Sequence, residues 1–224
     1  MEPRPRVIVF DVNETLSDMA PMAGRFTDVG APGLLATVWF SAVLRDGFAL
    51  AAAGGKEPFA RLARGALETV LAGATLNRPA AGAADHILAG FSDLPVHPDV
   101  PGGMRLLREG GLRLVTLSNG SAEVAGGLLA AAGIRGEFEQ LLSVEDAPAW
   151  KPAPAAYAYA ARACSVPIGQ MLLVAVHPWD IHGAHQAGMR TGWITRRPAP
   201  YPGYFAAPDL QAPDLGTLAR QILS

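Results

Sequence analysis

The chain has 224 residues, half of them hydrophobic and 17% charged, with a formal net charge of -2, which fits one globular unit or one domain carrying an insertion and excludes disorder. With 18 Lys+Arg against 20 Asp+Glu there is no basic excess to hold a phosphate backbone. No uninterrupted apolar run approaches the roughly 18 residues of a membrane helix, so the sequence predicts a cytoplasmic protein with neither nucleic acid nor membrane as partner.

In chain order, short runs rich in Val, Ile and Leu recur at residues 7–12, 112–118, 140–144, 171–176 and 191–195. Continuous apolar runs of this length suit strands buried on both faces, as in a parallel sheet. Helical periodicity separates the later four, at 122–132, 154–163 and 179–187. The alternation predicts an open, doubly wound α/β sheet. About a hundred residues separate the first two strands, far more than a crossover needs. Within that gap, 34–52, 58–71 and 80–91 read as Ala- and Leu-rich helices broken by Gly-Gly and Asn-Arg-Pro, so 19–95 is expected to form an all-helical insertion. Residues 102–109 then supply the helix before the second strand, 198–213 a proline-rich wrapped loop, and 215–223 a final helix.

Open α/β sheets bind ligands at the carboxyl ends of their strands, and here those ends are polar. The first strand runs into Phe10-Asp11-Val12-Asn13-Glu14-Thr15-Leu16, the second into Ser118-Asn119-Gly120 and the fourth into His177-Pro178-Trp179-Asp180, while Trp150-Lys151-Pro152 follows the third. All but two of the basic residues are arginine, so Lys151 in such a setting stands out beside Lys56. A desolvated aspartate held ionised by an ammonium is the setting for a carboxylate nucleophile. Asp11 is the predicted nucleophile, Lys151 its counter-charge and Asp180 the carboxylate that ties the lysine down. Ser118 and Asn119, near the start of a helix, offer donors for a substrate anion, and Thr15 can donate to Asp11 or to that anion.

These residues resemble the four ordered motifs of the haloacid dehalogenase superfamily. Within it, Phe10-Asp11-x-Asn13-x-Thr15-Leu16, Leu117-Ser118-Asn119-Gly120-Ser121, Leu142-Ser143-Val144, Lys151-Pro152 with Tyr157, and Trp179-Asp180 resemble the type II L-2-haloacid dehalogenases over nearly the whole chain. The resemblance implies a Rossmann-like parallel core, 1–18 and 96–224, with an inserted helical cap, 19–95. It implies a hydrolase in which Asp11 attacks the halogen-bearing carbon of a small 2-substituted carboxylic acid, forming an ester that water cleaves. Lys151 and Asp180 would form the charge network, Ser118, Asn119 and Asn13 would contact substrate, and Tyr157 would be the tyrosine that follows the lysine motif. No cofactor or metal is implied, and a homodimer through the cap or an adjacent helix is.

Two departures from that family are expected to matter. The arginine usual after the first cap tryptophan is replaced by Phe40 after Trp39, leaving Arg45, Arg61 and Arg64 as the nearest guanidinium groups that could reach in. Ala175 and His177 stand where Ser and Asn are usual, and His177 is a candidate general base for ester hydrolysis. Trp39, Phe40, Phe59 and Trp179 either wall an apolar pocket or pack the interface between cap and core. His182 and His185 with His177 form a weaker metal-ligand pattern. A magnesium-dependent phosphatase is the alternative enzyme, opposed by Asn13 where an aspartate is usual, and a binding module without chemistry is the alternative of another class.

Overall fold

The computed structural model describes residues 4–224. Six strands form one parallel sheet: β1 (Val7–Phe10), β2 (Arg113–Ser118), β3 (Gln140–Ser143), β4 (Met171–Ala175), β5 (Arg190–Ile194) and β6 (Leu210–Ala212), in the order β3-β2-β1-β4-β5-β6. The first strand in sequence is thus interior, with Phe10 in register with Thr116 on one side and Val174 on the other. Its side chains alternate between faces. Val7 and Val9 join one hydrophobic cluster with Val115, Leu117 and Leu173, whereas Ile8 and Phe10 join another with Leu114, Leu172 and Val174.

Helices α5 (Val100–Glu109) and α9 (Leu215–Leu223) cover the second face through Met104, Leu107, Leu215 and Leu218. The other face receives α7 (Pro154–Cys164) and α8 (Pro178–Gln186), through Ala156, Tyr157, Ala160 and Ile181. Both of these helices carry proline in the first turn, where its missing N–H costs nothing. Between β2 and β3 lies α6 (Ala122–Ala131), capped by Ser121, whose hydroxyl accepts from Val124 N at 3.2 Å.

Between β1 and α5 the chain makes four helices, α1 (Met22–Thr27), α2 (Leu35–Ala52), α3 (Phe59–Leu71) and α4 (Ala80–Ser92). An antiparallel bridge between Ser17 and Val96 closes the neck of this insertion. Trp39, Phe26 and Phe91 pack at its centre, and its cluster is continuous with that of the sheet. Helix α2 is long and apolar enough by length and composition to cross a membrane, the one such helix among the described residues. Here its Trp39, Phe40 and Val43 are buried in the insertion.

The doubly wound parallel sheet is as expected, with three differences in detail. Strand β1 stops at Phe10, because the chain turns at once into the compact loop that carries Asp11. Residues 198–213 are not wholly loop: β6 pairs in parallel with β5, Gly192 with Leu210 and Ile194 with Ala212. Three residues between prolines are too short to show a strand periodicity. Helix α1, one and a half turns long, escaped for the same reason.

Candidate active site

The loop after β1 is tightly wound. Asp11 N still bonds to Val174 O at 3.1 Å, after which Leu16 N and Ser17 N both return to Val12 O. Glu14 sits at φ +60°, a left-handed conformation rare for a side chain of its size. The turn brings Thr15 back over Asp11, and its hydroxyl donates to Asp11 Oδ2 at 2.6 Å while accepting from Val176 N at 3.1 Å. The amide of the β4 end therefore orients the hydroxyl proton toward the carboxylate.

Lys151 is fully buried, and its Nζ lies 2.9 Å from Asp11 Oδ1 and 2.6 Å from Asp180 Oδ2. Tyr157 donates to the other oxygen, Asp180 Oδ1, at 2.6 Å. Burial alone would raise the Asp11 carboxyl, but the Lys151 ammonium, His177 and the Thr15 hydroxyl outweigh it and hold Asp11 below the ordinary carboxylate range. Burial and the charge of Asp11 push Asp180 up, against Lys151 and Tyr157. Burial would lower Lys151, yet the two carboxylates hold its ammonium above the ordinary lysine value. The Tyr157 phenol is driven well up by burial and by Asp180, so it stays a donor. A buried cation between two carboxylates is tolerable only because the remaining oxygens also have donors.

The second strand end divides its tasks. Ser118 Oγ accepts from Gly120 N at 2.9 Å, which leaves its proton to donate elsewhere. Asn119 is engaged with the main chain: its Oδ1 accepts from Lys151 N at 3.0 Å and its Nδ2 donates one proton to Lys151 O at 3.2 Å. It braces the backbone of the lysine. Asn13 and Ser118 line a cavity of 130 Å³ whose far wall is Phe59 and Phe91.

On the other side of Asp11, His177 Nε2 lies 3.6 Å from Asp11 Oδ2, 3.2 Å from Asn13 O and 3.7 Å from Glu14 Oε2. The Asn13 carbonyl can only accept, so the 3.2 Å contact is a hydrogen bond in the tautomer that carries the proton on Nε2. The ring stacks on Trp179 at 5.0 Å, and Trp179 lies 5.8 Å from Lys151 Nζ. His177, Trp179, Glu14 and Phe40 line a second, larger cavity of 810 Å³ between α2 and the core.

Trp39 does not reach either cavity; it is fully buried and its indole donates to Ala63 O at 2.9 Å, within the insertion. Phe59 lines the small cavity and also stacks on Trp150. Arg61 and Arg64 are turned outward to Glu57 and Asp85, and only Arg45, paired with Asp46, stands at the rim of the large cavity. His182 Nδ1 accepts from Ala206 N at 3.0 Å, and no group of three potential metal ligands occurs among the described residues. Magnesium seeks several hard oxygens. Beside Asp11 stand an ammonium, a hydroxyl donor and an imidazole instead, a donor set that does not fit that ion.

Three contributors were not singled out in the sequence. Glu14 faces His177 from its strained position. Arg196 donates to Thr15 O at 3.1 and 2.7 Å and pairs with Asp99 at 2.9 Å, fixing the loop from the far side. Trp150 donates to Glu57 O at 3.0 Å and anchors the insertion beside Lys151. The position of Arg196 just after the last predicted strand was the only signal for it.

The model of the haloacid dehalogenase-like hydrolase family matches residues 5–188. The chain belongs to that family, which bears out the expected superfamily and its fold. It is 35% identical over 141 residues to haloacetate dehalogenase H-2 of Moraxella sp. (strain B), covering 63% of each chain, so the match spans just under two thirds of that relative. A solved L-2-haloacid dehalogenase superposes with a TM-score of 0.91 at 31% identity, over 99% of this chain and 100% of the other. The L-2-haloacid dehalogenase from Xanthobacter autotrophicus with chloropropionic acid covalently bound gives 0.85 at 25% identity, over 97% and 98%.

Proposed function

We propose that this hydrolase is a dehalogenase of 2-haloalkanoic acids working through an ester of Asp11. The observation that carries the reading is the state of Asp11: a buried carboxylate at the end of an interior strand, one oxygen on Lys151 and the other on Thr15, held ionised without a metal-type donor set. The names of its relatives support the same chemistry. The substrate carboxylate is placed against Ser118 and Asn13, at the amino end of α6, where the helix dipole favours an anion. An Asp11 oxygen attacks C2 in line, the carbon–halogen bond breaks with its electron pair on the halide, and an ester remains. Water then adds to the Asp11 carboxyl carbon, the bond to the ester oxygen breaks, and a 2-hydroxy acid leaves. Once Asp11 is esterified its charge is gone, and Asp180, the remaining buried carboxylate on Lys151, takes the proton released by water and returns it to the departing alkoxide, leaving Asp11 as a carboxylic acid that ionises again. His177 contributes an N–H beside Asp11 Oδ2. The insertion serves as the cap, with core 1–18 and 96–224 and cap 19–95, divided at the Ser17–Val96 bridge. A homodimer is proposed through the cap, where Leu34 and Val38 stand exposed one turn apart at the start of α2.

The test is halide release from 2-chloro- and 2-bromo-acids, with and without chelator, alongside Asp11→Asn. In single turnover in oxygen-18 water, the label is expected in Asp11 and not in the product. Label in the product alone, or turnover by Asp11→Asn, would overturn the ester. Magnesium-dependent phosphate release from phosphoesters in place of halide release would overturn the reading as a whole.

A further inference from the structure

Two cavities flank the loop that carries Asp11, one lined by Asn13 and the other by Glu14, and they are very unequal. An acid of two or three carbons has about six heavy atoms and, at about 30 Å³ per water-sized atom, needs on the order of 150–200 Å³. The 130 Å³ cavity by Ser118 nearly holds such a molecule by itself. The 810 Å³ cavity is several times larger, and lies in the range of roughly 300–1,000 Å³ that holds whole drug-sized ligands.

That space belongs to the same site. His177 forms part of its wall and also stands 3.6 Å from Asp11 Oδ2, and Trp179 forms another part 5.8 Å from Lys151 Nζ. Its other walls carry Met19, Met22, Phe40, Leu44 and Phe48, with the hydroxyls of Thr37 and Ser41 among them. Phe40, almost wholly buried, is among the lining residues, so the position that usually carries a cationic side chain in the family holds a hydrocarbon ring here. Three charged groups also line it: Arg45, on α2 itself, with Glu14 and Arg197.

Resting on the reading of the reaction given above, we infer that the substrate is a 2-substituted acid with a bulky apolar body, a linear chain of about six to ten carbons or an aryl group, laid along Phe40 and Trp179. The carboxylate keeps to the Ser118 side and the body fills the large cavity.

The experiment is a chain-length series with the purified protein: halide release from 2-bromoacetate, 2-bromobutanoate, 2-bromooctanoate and 2-bromo-2-phenylacetate, read as kcat/KM. The expected result is a rise of about two- to fourfold per buried methylene until the cavity is filled, with the phenyl acid well above bromoacetate. Ser41→Trp, which projects a ring into the cavity from α2, is expected to lower the ratio of bromooctanoate to bromoacetate about tenfold or more. A flat or falling series with active bromoacetate, or a ratio that ignores Ser41→Trp, would overturn the inference and leave the reaction standing. Silence toward every acid would overturn the reaction. Calorimetric titration with plain acids of the same lengths then decides the cavity alone: tightening with length upholds it, and no binding overturns it.

Discussion

Asn119 grips Lys151 by its backbone and not by its ammonium: the side-chain amide accepts from Lys151 N at 3.0 Å and donates to Lys151 O at 3.2 Å. The residue after β2 thereby fixes where the lysine stem starts, and the stem's length sets where the charge arrives between Asp11 and Asp180. Asn119→Ala leaves a buried N–H and a buried carbonyl without partners and is expected to cost about 2–4 kcal/mol, read as a lower denaturant midpoint at unchanged m. It should also lower kcat. An Asn119→Ala protein as stable as the parent would show that water replaces both bonds.

Lys151 decides the acid side of the pH profile. A carboxyl whose folded pKa lies below its unfolded value, near 3.9, adds stability above that value and loses it as pH falls through the lower folded one. For Asp11 the acid limb of kcat/KM is therefore expected below the ordinary aspartate range. Asp180, pushed up, works the other way and offsets part of this stability. In Lys151→Met both carboxylates lose their cation, the acid limb should move to higher pH, and stability should fall by about 3–5 kcal/mol. An acid limb that does not move would mean that Thr15 and His177 hold Asp11 down by themselves.

The insertion packs against Trp150, the neighbour of Lys151, at Gly47 as well as at Glu57 and Phe59. A methyl added at Gly47 in α2 would run into the ring of Trp150, the residue before Lys151. Alanine is ordinarily the better helix former, by roughly 0.5–1 kcal/mol. Here Gly47→Ala is expected to destabilise by about 1–3 kcal/mol, because Trp150 is wedged against Phe59 and bonded to Glu57 O. Thermal melts and kcat measured together test this, and a stabilised, fully active variant would show that Trp150 is free to slide.

Trp39 and Phe40, neighbours in the chain, should separate cleanly. Trp39→Phe loses the bond to Ala63 O and is expected to cost about 1–2 kcal/mol with the kcat/KM of bromoacetate nearly unchanged, since the ring faces neither cavity. A large change in KM would instead put Trp39 in contact with substrate.

Much of the site could be read from the chain because its members sit at strand ends, where a polar residue interrupts an apolar run. Asp11, Thr15, Lys151, Tyr157 and Asp180 were all expected, and all meet within hydrogen-bond reach. The bracing of Lys151 by Asn119 was not foreseen, because its partner is a backbone 32 residues away and sequence carries no mark of which main-chain groups lack a mate. His177 was expected as a base, and only the Asn13 carbonyl at 3.2 Å shows which way its proton points. Trp39 stayed open between pocket wall and packing residue, because an aromatic at helical spacing carries no sign of whether its face meets a cavity or its own neighbours. In the fold, β6 stayed hidden because its pairing depends on β5 and not on any pattern of its own.

Where the chain leaves the sheet, Asp18 N bonds to Pro95 O at 2.8 Å, and where it returns, His97 N bonds to Leu16 O at 2.9 Å. Outbound and inbound strands run side by side, so all that lies between them is, to the sheet, one long detour with a closed base. Its length and contents can change without disturbing the order of the strands or the position of Asp11. The walls that the insertion presents, Phe40 among them, can therefore vary independently of the strand order beneath.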